Sequence, residues 1–210
     1  MSRRTWGSIV MMVAALGVVG RAQGGRPASP AGVASAEVRG MYAARPNGEL
    51  AYRGGKWMEV VYSRPIKRGR DLWGAGADYG KKLSDGAPVW RAGANVSTEL
   101  KTEVPLVING KTVVPGVYTI FIDLKPTAWT LIVSTFKASK DYPSRDKDAL
   151  WGAFDYSPAR DVVRASMKLE TLPHSVEQLT WKFLDMTDAG GTLAIVWDTV
   201  MASVPFTIGS

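Results

Sequence analysis

The chain has 210 residues, with 26 Lys and Arg against 19 Asp and Glu, one His and no Cys. Those counts exclude disulfides, thiol catalysis, cysteine-bound zinc, iron–sulfur clusters and any site that needs several imidazoles. At 46% hydrophobic and 21% charged residues the chain can bury a core, and its length fits one domain of ordinary size.

In chain order, Arg3 and Arg4 precede an uncharged apolar run from Trp6 to Val19, and Gly20-Arg21-Ala22 then offers a small-x-small cleavage pattern. Residues 1–22 therefore read as an export signal, because a run of about 14 residues is short for a spanning helix, which needs roughly 20. An uncleaved anchor is the competing reading. Ser2-Arg3-Arg4-Thr5-Trp6 also loosely fits a twin-arginine signal, and no Cys follows for a lipoprotein anchor. The expected mature protein is exported, to the periplasm or beyond the cell, with no integral membrane span. Removing the signal takes away three arginines and no acid, which lowers the formal net charge from +7 to +4. The remaining basic residues are scattered apart from Arg64 to Arg70, with no basic stripe or known motif, so a nucleic-acid partner is not expected. Attraction to anionic envelope surfaces is a simpler reading of the surplus.

Residues 23–32, rich in Gly, Pro, Ala and Ser, read as a flexible leader. Short β-prone runs follow, separated by Gly, Pro, Asn and Asp: Val33–Arg39, Trp57–Ser63, Val96–Thr102, Leu106–Ile108, Lys111–Val114, Val117–Leu124, Trp129–Ser134, Val162–Leu169, Gln178–Leu184, Thr192–Trp197 and Ala202–Ile208. Several alternate with period two, as in Trp57-Met58-Glu59-Val60-Val61-Tyr62. Asn109-Gly110 is a strong hairpin signal, and Gly190-Gly191 marks a second turn. Arg45–Gly55 reads as a loop or loose hairpin and Lys81–Pro88 as an exposed loop. Asp146–Phe154 is the nearest approach to a short helix or turn. About ten short strands without βαβ alternation predict an all-β, antiparallel sandwich or jelly-roll-like domain over residues 33–208, with little helix. Seven of the eight Trp lie in the mature chain, where their rings can fill a core that has no disulfide.

Three segments together resemble the bacterial family known as domain of unknown function 2911. They are Tyr62-Ser63-Arg64-Pro65 with Lys67-Arg68-Gly69-Arg70 and Trp73-Gly74; Tyr79-Gly80 with Trp90-Arg91-Ala92-Gly93-Ala94-Asn95 and Thr98; and Ile108-Asn109-Gly110-Lys111 with Val114-Pro115-Gly116-Val117-Tyr118-Thr119-Ile120-Phe121 and Trp129-Thr130-Leu131-Ile132. Val176-Glu177-Gln178-Leu179-Thr180 and Ser203-Val204-Pro205-Phe206 are similar to the family's end. The resemblance implies an exported, β-rich protein and assigns no activity. The chain departs from the family pattern at Lys82–Val89, which lengthens the step from Tyr79-Gly80 to Trp90-Arg91, and at the extended Arg45–Gly55 loop. An insertion at the first of these would reshape the rim of any site near Tyr79 and Trp90.

The residues that point to a site are Arg64, Arg68, Arg70 and Arg91 with Asn95, Tyr62 and Tyr79. Arg64-Pro65 leaves a strand, since proline stops a sheet ladder, and Arg91 precedes another strand. If those strands are neighbours, guanidiniums converge beside an amide and two phenols. That set suits a carboxylate, phosphate or sulfate gripped by an Arg fork, with Trp73 and Trp90 as a stacking wall for a sugar. The competing reading is structural: arginines that satisfy carbonyls at loop bases or pair with Asp71, Asp78 or Glu99, and Asn95 as a turn residue. For catalysis the pattern is poor. His174 sits in a polar connection, Gly-x-Ser-x-Gly is absent, and the carboxylates Asp71, Asp78, Asp85, Glu99, Glu103 and Asp123 show no spacing that selects a pair. Asp185-x-x-Asp188-x-Gly190 lacks EF-hand spacing, and Gly74-x-Gly76 is no phosphate loop. The reading is a non-enzymatic binding or envelope-associated module for a small anionic or carbohydrate ligand, with no metal and no cofactor called for. Its ligand residues would be Tyr62, Arg64, Arg68, Tyr79, Trp90, Arg91 and Asn95. The alternative is a metal-independent hydrolase of an extracellular glycan or ester.

Overall fold

The structure, a computed structural model, describes residues 28–209. The export signal and residues 23–27 of the leader lie outside the described residues. The strands are β1 (Ala31–Val38), β2 (Met41–Ala44), β3 (Leu50–Arg53), β4 (Lys56–Ser63), β5 (Thr98–Thr102), β6 (Leu106–Ile108), β7 (Lys111–Val113), β8 (Gly116–Asp123), β9 (Thr130–Ser134), β10 (Lys137–Ala138), β11 (Ala149–Leu150), β12 (Asp161–Ser166), β13 (Lys168–Thr187) and β14 (Gly190–Ile208). One four-residue helix, α1 (Lys81–Ser84), follows Gly80. The fold is the all-β antiparallel sandwich that the alternation predicts. A six-stranded sheet ordered β1-β4-β5-β8-β9-β12 faces a four-stranded sheet ordered β13-β14-β6-β7.

Period-two chemistry sets which residues fill the sandwich. Along β4, Met58, Val60 and Tyr62 are buried while Trp57, Glu59 and Val61 lie on the other face. Those inward residues join Leu100, Ile120 and Leu131 from the same sheet, and they pack against Leu179, Trp181, Ile195 and Phe206 from the other. Trp90, Trp129 and Trp181 are among the largest fully buried side chains. Burying a ring of about 150–250 Å² contributes roughly 4–6 kcal/mol before entropy is charged against it, so these indoles can stand in for absent disulfides.

A smaller second cluster covers part of the outer face. Phe121 and Ile132, cross-strand partners on β8 and β9, are capped by Ala87 and Val89 from one side and by Phe136, Leu150 and Ala153 from the other. Phe136, Leu150 and Ala153 belong to the excursion between β9 and β12, and Ala87 and Val89 to the segment between α1 and β5. Asp146–Phe154 thus becomes not a helix but β11 and a run of turns, because Gly152 takes a left-handed φ of 67°.

Other boundaries also move. β1 begins at Ala31, inside the predicted leader, because Ala31 and Gly32 pair with Ser63 and Tyr62. Val162–Leu169 divides at Met167, whose amide bonds the Trp129 carbonyl. Gln178–Leu184 extends into the twenty-residue β13, and the last two predicted runs merge into β14. These two long strands form one hairpin that bends where the register slips between Thr171 and Val176 and Asp198 takes φ 52°. Pro173, His174 and Ser175 therefore mark a bulge rather than a loop. The hairpin folds back so far that a Cβ on Gly190 would run into the Phe206 carbonyl. Asn109 (φ 49°) and Gly110 (φ 71°) make the expected two-residue turn between β6 and β7. The expected loop or loose hairpin at 45–55 is the turn and second strand of a hairpin that starts earlier, at β2, and Lys81–Pro88 is mostly exposed, as expected, but carries α1 and a buried Ala87. No helix among the described residues is long and apolar enough to cross a membrane.

Candidate functional site

The segment from Trp90 to Asn95 leaves the sheet through a single bridge, in which Trp90 and Ile122 exchange both backbone bonds at 2.9 and 2.8 Å. It then bends sharply. Ala92 (φ 51°) and Asn95 (φ 59°) both adopt a left-handed backbone, which Asn tolerates but Ala holds only where the surroundings over-determine it. Here the carbonyl of Ala92 accepts from the Trp181 indole at 3.0 Å and from Thr98 Oγ1 at 3.2 Å, and the Trp90 indole donates to Gly93 at 3.2 Å.

This bend drives Arg91 inward. Only 6% of the residue is exposed. Its guanidinium lies over the Trp151 ring at 4.9 Å and the Phe154 ring at 5.6 Å, and Nη1 donates to the Asn95 carbonyl at 2.8 Å. That is its one hydrogen bond among the described residues. Burial pulls its pKa down and the Asp85 charge pushes it back up; an arginine stays cationic throughout the physiological range.

Arg91 lines a cleft of about 310 Å³ together with Arg70, Lys82, Asp85, Asn95 and Trp197. Arg70 is set by donating to the Lys67 carbonyl at 3.0 Å and the Ile66 carbonyl at 2.7 Å, with its guanidinium 5.9 Å from the Trp197 ring. Trp197 in turn stacks on Trp90 at 6.2 Å and 15°. Three cations and one carboxylate therefore border the same hollow, with indole and apolar surface behind them. Charges of these types are the ones that grip small anions, arginine through a planar fork and lysine as a mobile point charge.

Of the residues named from sequence, Arg70, Trp90, Arg91 and Asn95 line this cleft, and Arg64, Arg68, Tyr62 and Tyr79 do not. Arg64 crosses to β13 and donates from Nε to the Leu179 carbonyl at 3.3 Å and from Nη2 to Thr180 Oγ1 at 3.1 Å. It fastens the two sheets, as the structural reading of that residue held. Tyr62 is in the core, its hydroxyl accepting from the Trp181 amide at 3.1 Å. Arg68 is exposed on a left-handed turn (φ 51°), its amide held by Glu177, and borders a different hollow beside Arg70. Tyr79 accepts from the Trp129 indole at 3.0 Å, burial pushes its phenol pKa up, and it lines a separate hollow next to Asp123. Trp73 is no open stacking wall either, being packed 4.9 Å from Trp129.

Lys82, Trp151 and Trp197 were not among the sequence candidates, and Asp85 was named only as one of six carboxylates with no spacing to select it. The one signal that pointed to Lys82 and Asp85 was the lengthened step before Trp90, which places both on the rim. Four of the other proposed carboxylates are engaged elsewhere, and the fifth, Glu99, lies on β5 and does not line the cleft: Asp71 faces Lys82 at 3.7 Å from outside the cleft, Asp78 pairs with Lys81, Glu103 bonds the Trp57 amide and Asp123 pairs with Arg164. His174 is exposed on β13. Among the described residues no cluster of three or more His, Cys, Asp and Glu could hold a metal ion.

A family model described as "Protein of unknown function (DUF2911)" matches residues 46–206. No curated protein and no solved structure matches the chain. The matched span takes in the whole cleft and stops short of β1 and β2.

Proposed function

The chain belongs to the DUF2911 family of unknown function, and from its own chemistry we propose that it is an exported, non-enzymatic binding protein whose Arg91 cleft takes a small anionic ligand, a carboxylate or a phosphate, free or carried on a sugar. The observation that carries the reading is Arg91 itself. Its guanidinium has a single protein acceptor among the described residues, and its other donors are not among the buried unpaired atoms, so they remain open to a ligand on the wall of a hollow flanked by Arg70 and Lys82. An anion would supply the missing acceptors. The volume of about 310 Å³ sits at the small end of ligand pockets and suits a monosaccharide-sized molecule.

A thermal-shift screen against glucuronate, galacturonate, phosphate, sulfate and neutral glucose tests this. The expected result is stabilisation by one of the anions and none by glucose; a protein indifferent to every anion contradicts the reading.

A second reading is the hydrolase of a glycan or ester, favoured by one feature: Asp85 is the only carboxylate among the described residues lining the cleft. A general base must reach its proton within about 2.6–3.2 Å. Turnover of an ester or glycoside that disappears in Asp85→Asn, with anion binding retained, would select it.

A further inference from the structure

The β2–β3 hairpin carries a largely exposed apolar face. Tyr42 pairs with Tyr52 and Ala44 with Leu50, so all four side chains share one face, with the two phenol rings 5.2 Å apart. Tyr42 and Leu50 are each 70% exposed and Tyr52 49%. A free two-stranded ribbon is marginal in water, and this one is tied down only at its base. There Tyr52 donates to Glu37, the Gly55 amide donates to Glu37, and Arg39 binds Asp188 through its amide and the Gly209 carbonyl through its guanidinium. Arg45, Arg53 and Lys56 flank the ribbon, and Glu49 is the acid within it.

We propose that this hairpin docks the protein on a bilayer surface bearing anionic lipid headgroups. Two features select a membrane over a second copy of the chain. The exposed apolar face amounts to roughly 400 Å² for two phenols, one Leu and one Ala, about half of what each partner gives to a stable protein interface. A bilayer asks for no such matched area: tyrosines settle at the headgroup level, and each flanking cation adds attraction to anionic lipid. The charge balance is complementary to that surface: of four cations from Arg39 to Lys56 against one acid, Arg45 lies 3.9 Å from Glu49 and Arg39 is held by the Gly209 carbonyl, and the segment keeps a net positive charge. The topology also fits. The hairpin leads into β4 at Lys56, whereas Arg64 and Pro65, beside the cleft, follow its other end at Ser63. The eight-residue strand separates them by roughly 23 Å, so a docked hairpin leaves the anion cleft at the far end of β4 from the lipid.

The test is vesicle co-sedimentation of the full chain with phosphatidylcholine vesicles with and without 30% phosphatidylglycerol, at low and high salt. It compares wild type with Tyr42→Ser/Leu50→Ser and with Arg45→Ser/Arg53→Ser. The N-terminus is common to all three, so differences report the hairpin. The expected result is salt-sensitive partitioning onto the anionic vesicles, weakened by about tenfold or more in each double variant, with unchanged melting temperature and a monomeric elution volume. If the apolar variant misfolds, the arginine variant, altered only at exposed positions, decides the matter alone. Equal partitioning by wild type and variants overturns the proposal. So does no partitioning at all, or a dimer that the apolar double substitution dissociates.

Discussion

The guanidinium of Arg91 lies 4.9 Å from the ring of Trp151, and a Cβ built on the next residue, Gly152, would sit 2.8 Å from Arg91 Cζ. The turn after β11 is thus a lid fitted against the back of the guanidinium, and it decides where that charge stands in the cleft. Trp151→Ala should cost about 2 kcal/mol through lost packing and cation–π attraction and should weaken anion binding, while Trp151→Phe should retain most of both. Urea denaturation and ligand titration of the two variants check this.

Gly152→Ala places a side chain where φ is 67° and where the guanidinium already stands. The expected loss is about 1–3 kcal/mol, with anion affinity falling alongside it. A variant as stable as wild type would show that the turn is not fitted to Arg91.

Arg64 and Arg91 should separate cleanly. Arg64→Ala removes two side-chain bonds to β13 and should lower stability by about 2 kcal/mol, leaving ligand affinity unchanged. Arg91→Lys keeps the charge but loses the planar fork, so binding should fall by about tenfold or more for a smaller change in stability.

Much of this division was not legible in the sequence. Strand identity and the Asn109-Gly110 turn were, because alternation and a turn dipeptide are local signals. So was the grouping of Trp90, Arg91 and Asn95, which are too close in sequence to part. The target of Arg64 was not: its acceptors, Leu179 and Thr180, belong to a strand more than a hundred residues on, and a period-two pattern does not say which strand will lie opposite a loop base. Trp151 and Trp197 were missed for the same reason. The length of β13 and β14 was hidden because Pro173 and His174 look like a chain break and instead occupy a bulge.

The bulge carries a pH-dependent tie. Lys67 Nζ lies 2.5 Å and Ser175 Oγ 2.8 Å from the Asp198 carboxylate. Burial works to raise the pKa of Asp198, but the bonds from Lys67 and Ser175, the Lys67 charge and the Thr199 amide together hold it below the ordinary value of 3.8. A carboxyl whose pKa is lower in the folded state stabilises fully above the unfolded value and loses that contribution as pH falls through the folded one. The stability difference between wild type and Asp198→Asn should therefore shrink between about pH 5 and pH 2. Denaturant midpoints across that range check it, and Asn is suited to the left-handed backbone at this position.

Export is tested by amino-terminal sequencing of protein recovered from the cell envelope. The expected start is near Gln23; a chain still beginning at Met1 contradicts cleavage of the signal.

The most direct test of the anion cleft is calorimetric titration of wild type and Arg91→Lys with the ligand that gives the largest thermal shift. Saturable one-to-one binding to wild type is expected, weakening as salt rises and reduced about tenfold or more in the variant. Equal affinity in the two proteins, with both folded, would contradict an Arg91 anion site.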